Sequence, residues 1–274
     1  MASSTMHVPL LNAQDSDESD VERGPVPTYE HATRQAGDAT TPSFLGGHAK
    51  PLREGKEPVA LADASIRMGF LRKVLGILSF QFLATVVLSA GIYLTPVVRG
   101  FIQNQSWIVF LFLIGSIGVL FAMFVHAHNA PFNYFLLGGW TIMQALTVAA
   151  IVTFYDAEVV LQALFVTVAV VGSLFFYTMQ SKRDWRKSYA LLASLSIAFV
   201  VGTLLQIILM STMFNFMMSL FGAALFSLYL VFDIDMVMHH HSEEDYIIAC
   251  IMIYMDVVNL FLNILHIVAE ANRN

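Results

Sequence analysis

The chain has 274 residues, of which 57% are hydrophobic and 12% are charged, and its mean hydropathy is +0.68. An ordinary soluble domain carries about 25% charged residues, so this composition excludes one and indicates an integral membrane protein. The net charge of −6 comes largely from the polar tail and loops and gives no sign of a nucleic-acid partner. The single cysteine, Cys250, cannot form an internal disulfide and lies in an apolar run.

The first part of the chain differs sharply from the rest. Residues 1–65 are rich in Pro, Ser, Thr, Gly and acidic side chains, which bury too little apolar surface to offset the entropy of ordering. We therefore expect a disordered cytosolic tail at 1–65, followed by a membrane domain at 66–274. The tail has no apolar core typical of a signal peptide, so membrane insertion is expected to begin with the first helix.

Seven apolar runs are long enough, at about 20 residues each, to cross the bilayer hydrocarbon. They lie at approximately 74–94, 107–127, 132–154, 159–180, 188–209, 214–238 and 246–268. The sequence thus predicts an all-α polytopic membrane protein, a seven-helix bundle. Because the connections are short, consecutive helices are expected to be antiparallel neighbours.

Basic residues predict the orientation of this bundle. Arg67, Arg72 and Lys73 precede the first run, and a second basic cluster at 182–187 lies between the fourth and fifth runs. An even number of crossings separates the clusters, so both are expected on the cytosolic side. The N-terminus and the 239–245 loop are then cytosolic, and the C-terminus is lumenal or external.

Two aspartates in the last two runs stand out, because a charged side chain inside a membrane is costly. Asp233 and Asp256 are about equally far from the midpoint of the 239–245 loop, so two antiparallel helices would hold them at one depth. Asp235 lies roughly 200° around the helix from Asp233 and cannot face the same neighbour. It is expected to face another helix or to reach toward the interface.

Two carboxylates in contact in an apolar medium do not both ionise easily, so we expect them to share a proton. Loss of that proton would leave an acidic pair suited to a hard cation such as Ca²⁺. The sequence therefore predicts a pH-sensing, transient Ca²⁺ site at Asp233 and Asp256, with protons and Ca²⁺ as its ligands.

Other polar residues are candidate supports for this pair. In the seventh run, Asp256, Asn259, Asn263 and His266 follow the spacing of one helix face, which predicts either a hydrogen-bonding seam or part of the site. His126 and His128 end the second run on the cytosolic side. They are candidate cationic partners of the pair, with ordinary interface residues as the alternative.

Four blocks of sequence resemble the transmembrane Bax inhibitor motif family, in particular its Lifeguard-like branch. The blocks extend from Arg67 to Gln81, from Asn129 to Tyr134, from Phe175 to Trp185, and from Phe226 to Asp235 together with 253–261. The resemblance implies a bundle with a central last helix that acts as a pH-sensitive Ca²⁺ leak in the endoplasmic reticulum or Golgi and opposes apoptosis. It also implies apoptosis-regulating membrane proteins as partners.

The family's aspartate motifs correspond here to Phe232-Asp233 and to Tyr254-Met-Asp256-Val-Val-Asn259. The chain departs from some relatives at the end of the second helix, where an arginine that bonds the acid pair is replaced by His126 and His128. We hypothesise that a histidine supplies a pH-dependent counter-charge in its place.

Three other classes compete with a Ca²⁺ leak. A non-conducting scaffold for cell-death regulators is the strongest, since no pore is visible in the sequence. A seven-helix receptor is less favoured, and a zinc hydrolase would need several ligands at one depth, whereas most histidines here lie at helix ends. No enzymatic activity is predicted, nor any cofactor beyond Ca²⁺ as the permeant ion.

Overall fold

A computed structural model describes residues 64–105, 107–126, 131–181, 185–239 and 245–273. Most of the tail predicted at 1–65 lies outside these ranges, as does His128. Within the described ranges, all regular structure is helical. The all-α prediction is therefore confirmed.

Eight α-helices and one short 3-10 turn make up the described chain. They are α1 (Ala64–Leu94), α2 (Pro96–Asn104), α3 (Trp107–His126), α4 (Phe132–Val152), α5 (Ala157–Gln180), the 3-10 turn (Trp185–Ser188), α6 (Tyr189–Leu209), α7 (Thr212–His239) and α8 (Tyr246–Ala271). All except α2 and the 3-10 turn are long and apolar enough to cross a membrane. The seven predicted runs are thus confirmed, and the sixth and seventh correspond to α7 and α8.

Helix boundaries follow from local chemistry. Pro96 opens α2, where its missing N–H costs nothing. Met210 ends α6 in the left-handed conformation, with φ at 47°. Helix α1 begins about ten residues before its predicted apolar run, because a helical backbone can continue into polar sequence. Arg72 and Lys73 lie exposed on this extension.

The last helix is central, as the family resemblance implied. Helix α8 packs against α7, α5, α1 and α4. In α4 and α8, 56% of the most apolar window is buried inside the protein, compared with 17% in α3 and 6% in α6. Helices α3 and α6 therefore present mainly lipid-facing surface, and α8 can carry polar residues shielded from lipid.

Aromatic packing holds α1, α4 and α8 together. Tyr254 on α8 is fully buried, stacks on Phe82 of α1 at 5.3 Å between ring centroids, and meets the edge of Trp140 on α4 at 5.2 Å. Its hydroxyl lies 2.8 Å from the Thr85 hydroxyl. This cluster fixes the rotation of α8 and so determines which of its residues face α7.

Candidate functional site

The two aspartates of the last two helices meet inside the bundle. Asp233 of α7 and Asp256 of α8 are 4% and 6% exposed, and their carboxyl groups lie within hydrogen-bonding reach of each other. Among the described residues, Oδ2 of Asp256 has no hydrogen-bond partner. The equal-depth argument from the sequence thus predicted this contact.

A carboxyl–carboxyl contact constrains the protonation of both groups. Two bare carboxylates repel one another and neither can donate, so a hydrogen bond between them needs a proton on one side. At this burial, water does little to screen the repulsion. In general, a contact between two buried carboxyl groups is favoured when they share a proton and opposed when both are ionised.

Asp235 lies two residues further along α7 and has different neighbours. It is 3% exposed, and its Oδ2 accepts a bond of 3.4 Å from the backbone N–H of Trp185. Its Oδ1 lies 3.1 Å from Nδ1 of His239. Asp235 therefore ties α7 to the 3-10 turn before α6 and is not brought to the acid pair. The sequence indicated the different face but not this partner.

The predicted histidine partner has other contacts. Nδ1 of His126 lies 3.0 Å from the carbonyl oxygen of Ala122, and its ring meets the edge of Phe132 at 5.3 Å. Neither contact involves the aspartates. His128 is outside the described residues, so the idea that a histidine replaces the family's arginine stays a prediction.

The polar face of α8 continues beyond the pair along α7. The side-chain amides of Asn259 and Asn263 each donate 2.8 Å bonds to the carbonyl four residues earlier. The side chain of Asn263 also fills the space beside Gly222 of α7, where an added Cβ would clash with it. One turn further, Nδ1 of His266 lies 3.1 Å from Oγ of Ser219. We call this line of contacts, from Asp233–Asp256 to Ser219–His266, the polar seam.

Two cavities lie beside the last contact of the polar seam. They are at the end of the bundle where helix α8 ends, which we call the C-terminal end. Their volumes are about 570 Å³ and 270 Å³, and Ile151, Tyr155 and His266 border both. The larger cavity also has Glu270 and Arg273 on its wall. Burial raises the pKa of the Tyr155 phenol, an effect that the Arg273 charge opposes. Nothing in the sequence indicated these cavities except that His266 closes the polar stripe.

A metal centre needs several ligating side chains close together. No group of three His, Cys, Asp or Glu side chains in the described ranges is close enough to hold a metal ion. The zinc-hydrolase alternative would need such a group.

Fold and site together define the class: a polytopic helical membrane protein whose last two helices bury a pair of aspartates in contact. The family profile described as "Inhibitor of apoptosis-promoting Bax1" matches residues 67–274, which is nearly the whole described chain. The chain belongs to this Bax inhibitor family.

Named relatives include proteins of a virus, an animal and a fungus. The chain is 41% identical over 216 residues to a "Golgi anti-apoptotic protein" of Vaccinia virus (strain Lister), covering 78% of this chain and 91% of the relative. It is 42% identical to "Protein lifeguard 4" of Mus musculus, covering 78% and 90%. It is 33% identical over 218 residues to "Bax inhibitor 1" of Schizosaccharomyces pombe, covering 79% and 82%.

Proposed function

We propose that this protein is a pH-sensitive Ca²⁺ leak pathway of an internal membrane, gated by Asp233 and Asp256. The observation that carries the proposal is the contact between two buried carboxyl groups on the two helices at the centre of the bundle. An amide at either position would bond nearly as well without a charge to desolvate. A proton-dependent role accounts for the use of two acids.

The gate works through the contact of α7 with α8. With one proton shared, the carboxyls hold the helices together and leave no acidic site for a cation. When that proton leaves, the two charges repel, the helices separate, and four carboxylate oxygens become available to Ca²⁺. Flux is therefore expected to rise as the pH around the pair rises.

The printed names of the relatives support a proposal for cellular role and location. The names "Golgi anti-apoptotic protein" and "Bax inhibitor 1" support a protein that opposes apoptosis. We place the chain in Golgi or endoplasmic reticulum membranes, with its N-terminus cytosolic because of the basic residues before α1. Its partners are then the lipid bilayer, Ca²⁺, protons and membrane proteins that regulate apoptosis.

Purified protein in liposomes loaded with a Ca²⁺ indicator tests the gate directly. Flux should change severalfold as the pH is stepped, and Asp233→Asn and Asp256→Asn should each abolish that response. Asp235→Asn is the matched control, because Asp235 is equally buried on the same helix but faces Trp185 and His239. Unchanged pH responses in both pair variants would refute the mechanism.

A non-conducting scaffold is the second candidate. The observation in its favour is that neither of these two cavities is bordered by the aspartate pair. A scaffold predicts no Ca²⁺ flux above that of empty liposomes at any pH. It also predicts that cell survival is unaffected by either Asp→Asn change.

A further inference from the structure

The polar seam has a second narrow point, about 15 Å from the aspartate pair, given ten residues of helical rise between Asp256 and His266. Here the imidazole of His266 meets the hydroxyl of Ser219 across the α7–α8 contact. The ring also borders both cavities, so it lies where the larger one approaches the smaller. The smaller cavity continues to Ser219 and Asn263, which is the direction of the pair.

Charge at the larger cavity favours a cation as the species that enters. Among the described residues, Asp156 and Glu270 line it together with the opposing charge of Arg273. The smaller cavity has no Asp, Glu, Lys or Arg among the described residues of its wall, which includes the polar side chains of Gln206 and Asn263. A cation moving from the larger cavity to the smaller therefore leaves an acidic mouth and passes residues that border both cavities, His266 among them.

We propose that the His266–Ser219 contact is a second constriction on the cation route, and that protonation of His266 closes it to cations arriving from the C-terminal end. The inference rests on the proposed Ca²⁺ leak and assigns its entrance and its second control point. Neutral imidazole can turn aside from Ser219 and offer a lone pair. Imidazolium places a positive charge in the path.

The groups around His266 determine how its charge acts. Its own helix contributes Glu270 one turn away, α7 contributes Ser219, and the connection before α5 contributes Tyr155. Asp156 and Arg273 complete the charged wall of the larger cavity. An imidazole can take up a proton on acidification, so lowering the pH on this side tests whether a charge on the ring blocks the route.

Flux measurements separate the two control points. In oriented liposomes, the C-terminal side alone is acidified from about pH 8 to about pH 5.5, which should charge the imidazole. Because the imidazolium repels a nearby divalent cation, Ca²⁺ flux should fall about tenfold. His266→Gln keeps a partner for Ser219 but cannot be charged, so it should remove this response. Flux through the His266→Gln variant should still respond to pH on the opposite side, because the aspartate pair controls that response. His239→Gln is the matched control at the other end of the bundle.

Thiol accessibility gives a readout that needs no conduction. Ala269→Cys places a thiol on the larger cavity, and Met218→Cys places one on the smaller. The native Cys250 is fully buried, and the unaltered chain gives its background reaction. A small cationic methanethiosulfonate reagent is added from the C-terminal side. The rate at Met218→Cys is divided by the rate at Ala269→Cys, which cancels the pH dependence common to thiols.

The ratio should fall about tenfold on acidification when His266 is present and stay constant with His266→Gln. A ratio that is independent of pH, or that falls equally in both backgrounds, overturns the constriction. If the ratio behaves as expected but no variant conducts Ca²⁺, the constriction stands and the leak function fails. If flux responds to the aspartate variants but not to His266→Gln, the leak stands and this inference fails.

Discussion

The two halves of the α7–α8 contact are built from similar polar residues but differ in packing. Near Asp256 the aromatic cluster of Tyr254 packs α8 against α1 and α4, and the buried residues of α7 run without a break from Leu230 to Asp235. Around His266 the same two helices border cavities of about 570 Å³ and 270 Å³. One half is closed by packing, and the other is open at the end of the bundle.

This difference suggests how the α7–α8 pair can contain both a gate and an entrance for cations. The carboxyl groups of Asp233 and Asp256 lie against each other across the two helices, so a change in their protonation alters the helix contact itself. Polar groups in the open half have space beside them, so a change there alters a path without moving a helix. The closed half is suited to gating, and the open half to selection of what enters.

The packing difference predicts unequal costs for the same substitution in the two halves. Leu230→Ala removes a fully buried side chain in the closed half and should lower the free energy of unfolding in detergent by about 2–3 kcal/mol, mainly through the cavity it leaves. Leu262→Ala, on the wall of the smaller cavity, should cost less than about 1 kcal/mol, because that side chain already lacks neighbours on one side. Denaturation monitored by circular dichroism checks both. Equal costs would mean that the halves are equally packed.

The next largest loss of stability is expected at Gly222, where α7 closely approaches α8 along the polar seam. Gly222→Ala adds a Cβ that would meet the side chains of Asn263 and Phe199 at less than van der Waals distance. The resulting shift should lower the midpoint of thermal unfolding and cost about 1–2 kcal/mol. Gly118→Ala on α3 is the control, since no atom lies within 4 Å of its added Cβ. That change should be neutral or slightly stabilising. If Gly222→Ala leaves the midpoint of thermal unfolding unchanged, α7 and α8 are loosely packed along the polar seam.

Helix positions and the acid contact could be predicted because they depend on periodic properties of the chain. Apolar length gave the seven spans, and equal distance from a loop paired Asp233 with Asp256. The partner of Asp235 and the cavities beside His266 could not be predicted, because they depend on which nonadjacent helices meet. The sequence did not predict helix α2, because its nine residues, which include the charged Arg99, are too few to form a membrane-spanning run.

Protonation of the pair predicts a smaller effect that is confined to the closed half. A shared proton is held in the folded bundle and released from separated carboxylates, so stability should fall as pH rises from about 5 to about 8. Asp256→Asn keeps a donor toward Asp233 without a titrating proton and should flatten this dependence, with a difference near 1 kcal/mol at the upper pH. Unfolding in detergent at several pH values measures it. Parallel curves for the variant and the unaltered chain would contradict a shared proton.

The smallest expected effect on stability concerns Tyr155, and it tests how far water reaches into the open half. Burial raises the pKa of its phenol even though it borders both cavities, while the charge of Arg273 acts in the opposite direction. A group whose folded-state pKa is raised stabilises the fold below its unfolded value, near 10, and loses that contribution as pH rises through the folded value. Tyr155→Phe should therefore remove a few tenths of a kcal/mol of the stability loss above about pH 10. Arg273→Gln should enlarge that loss by removing the opposing charge. If neither variant alters the alkaline slope, Tyr155 is fully hydrated and the open half extends deeper than its cavities indicate.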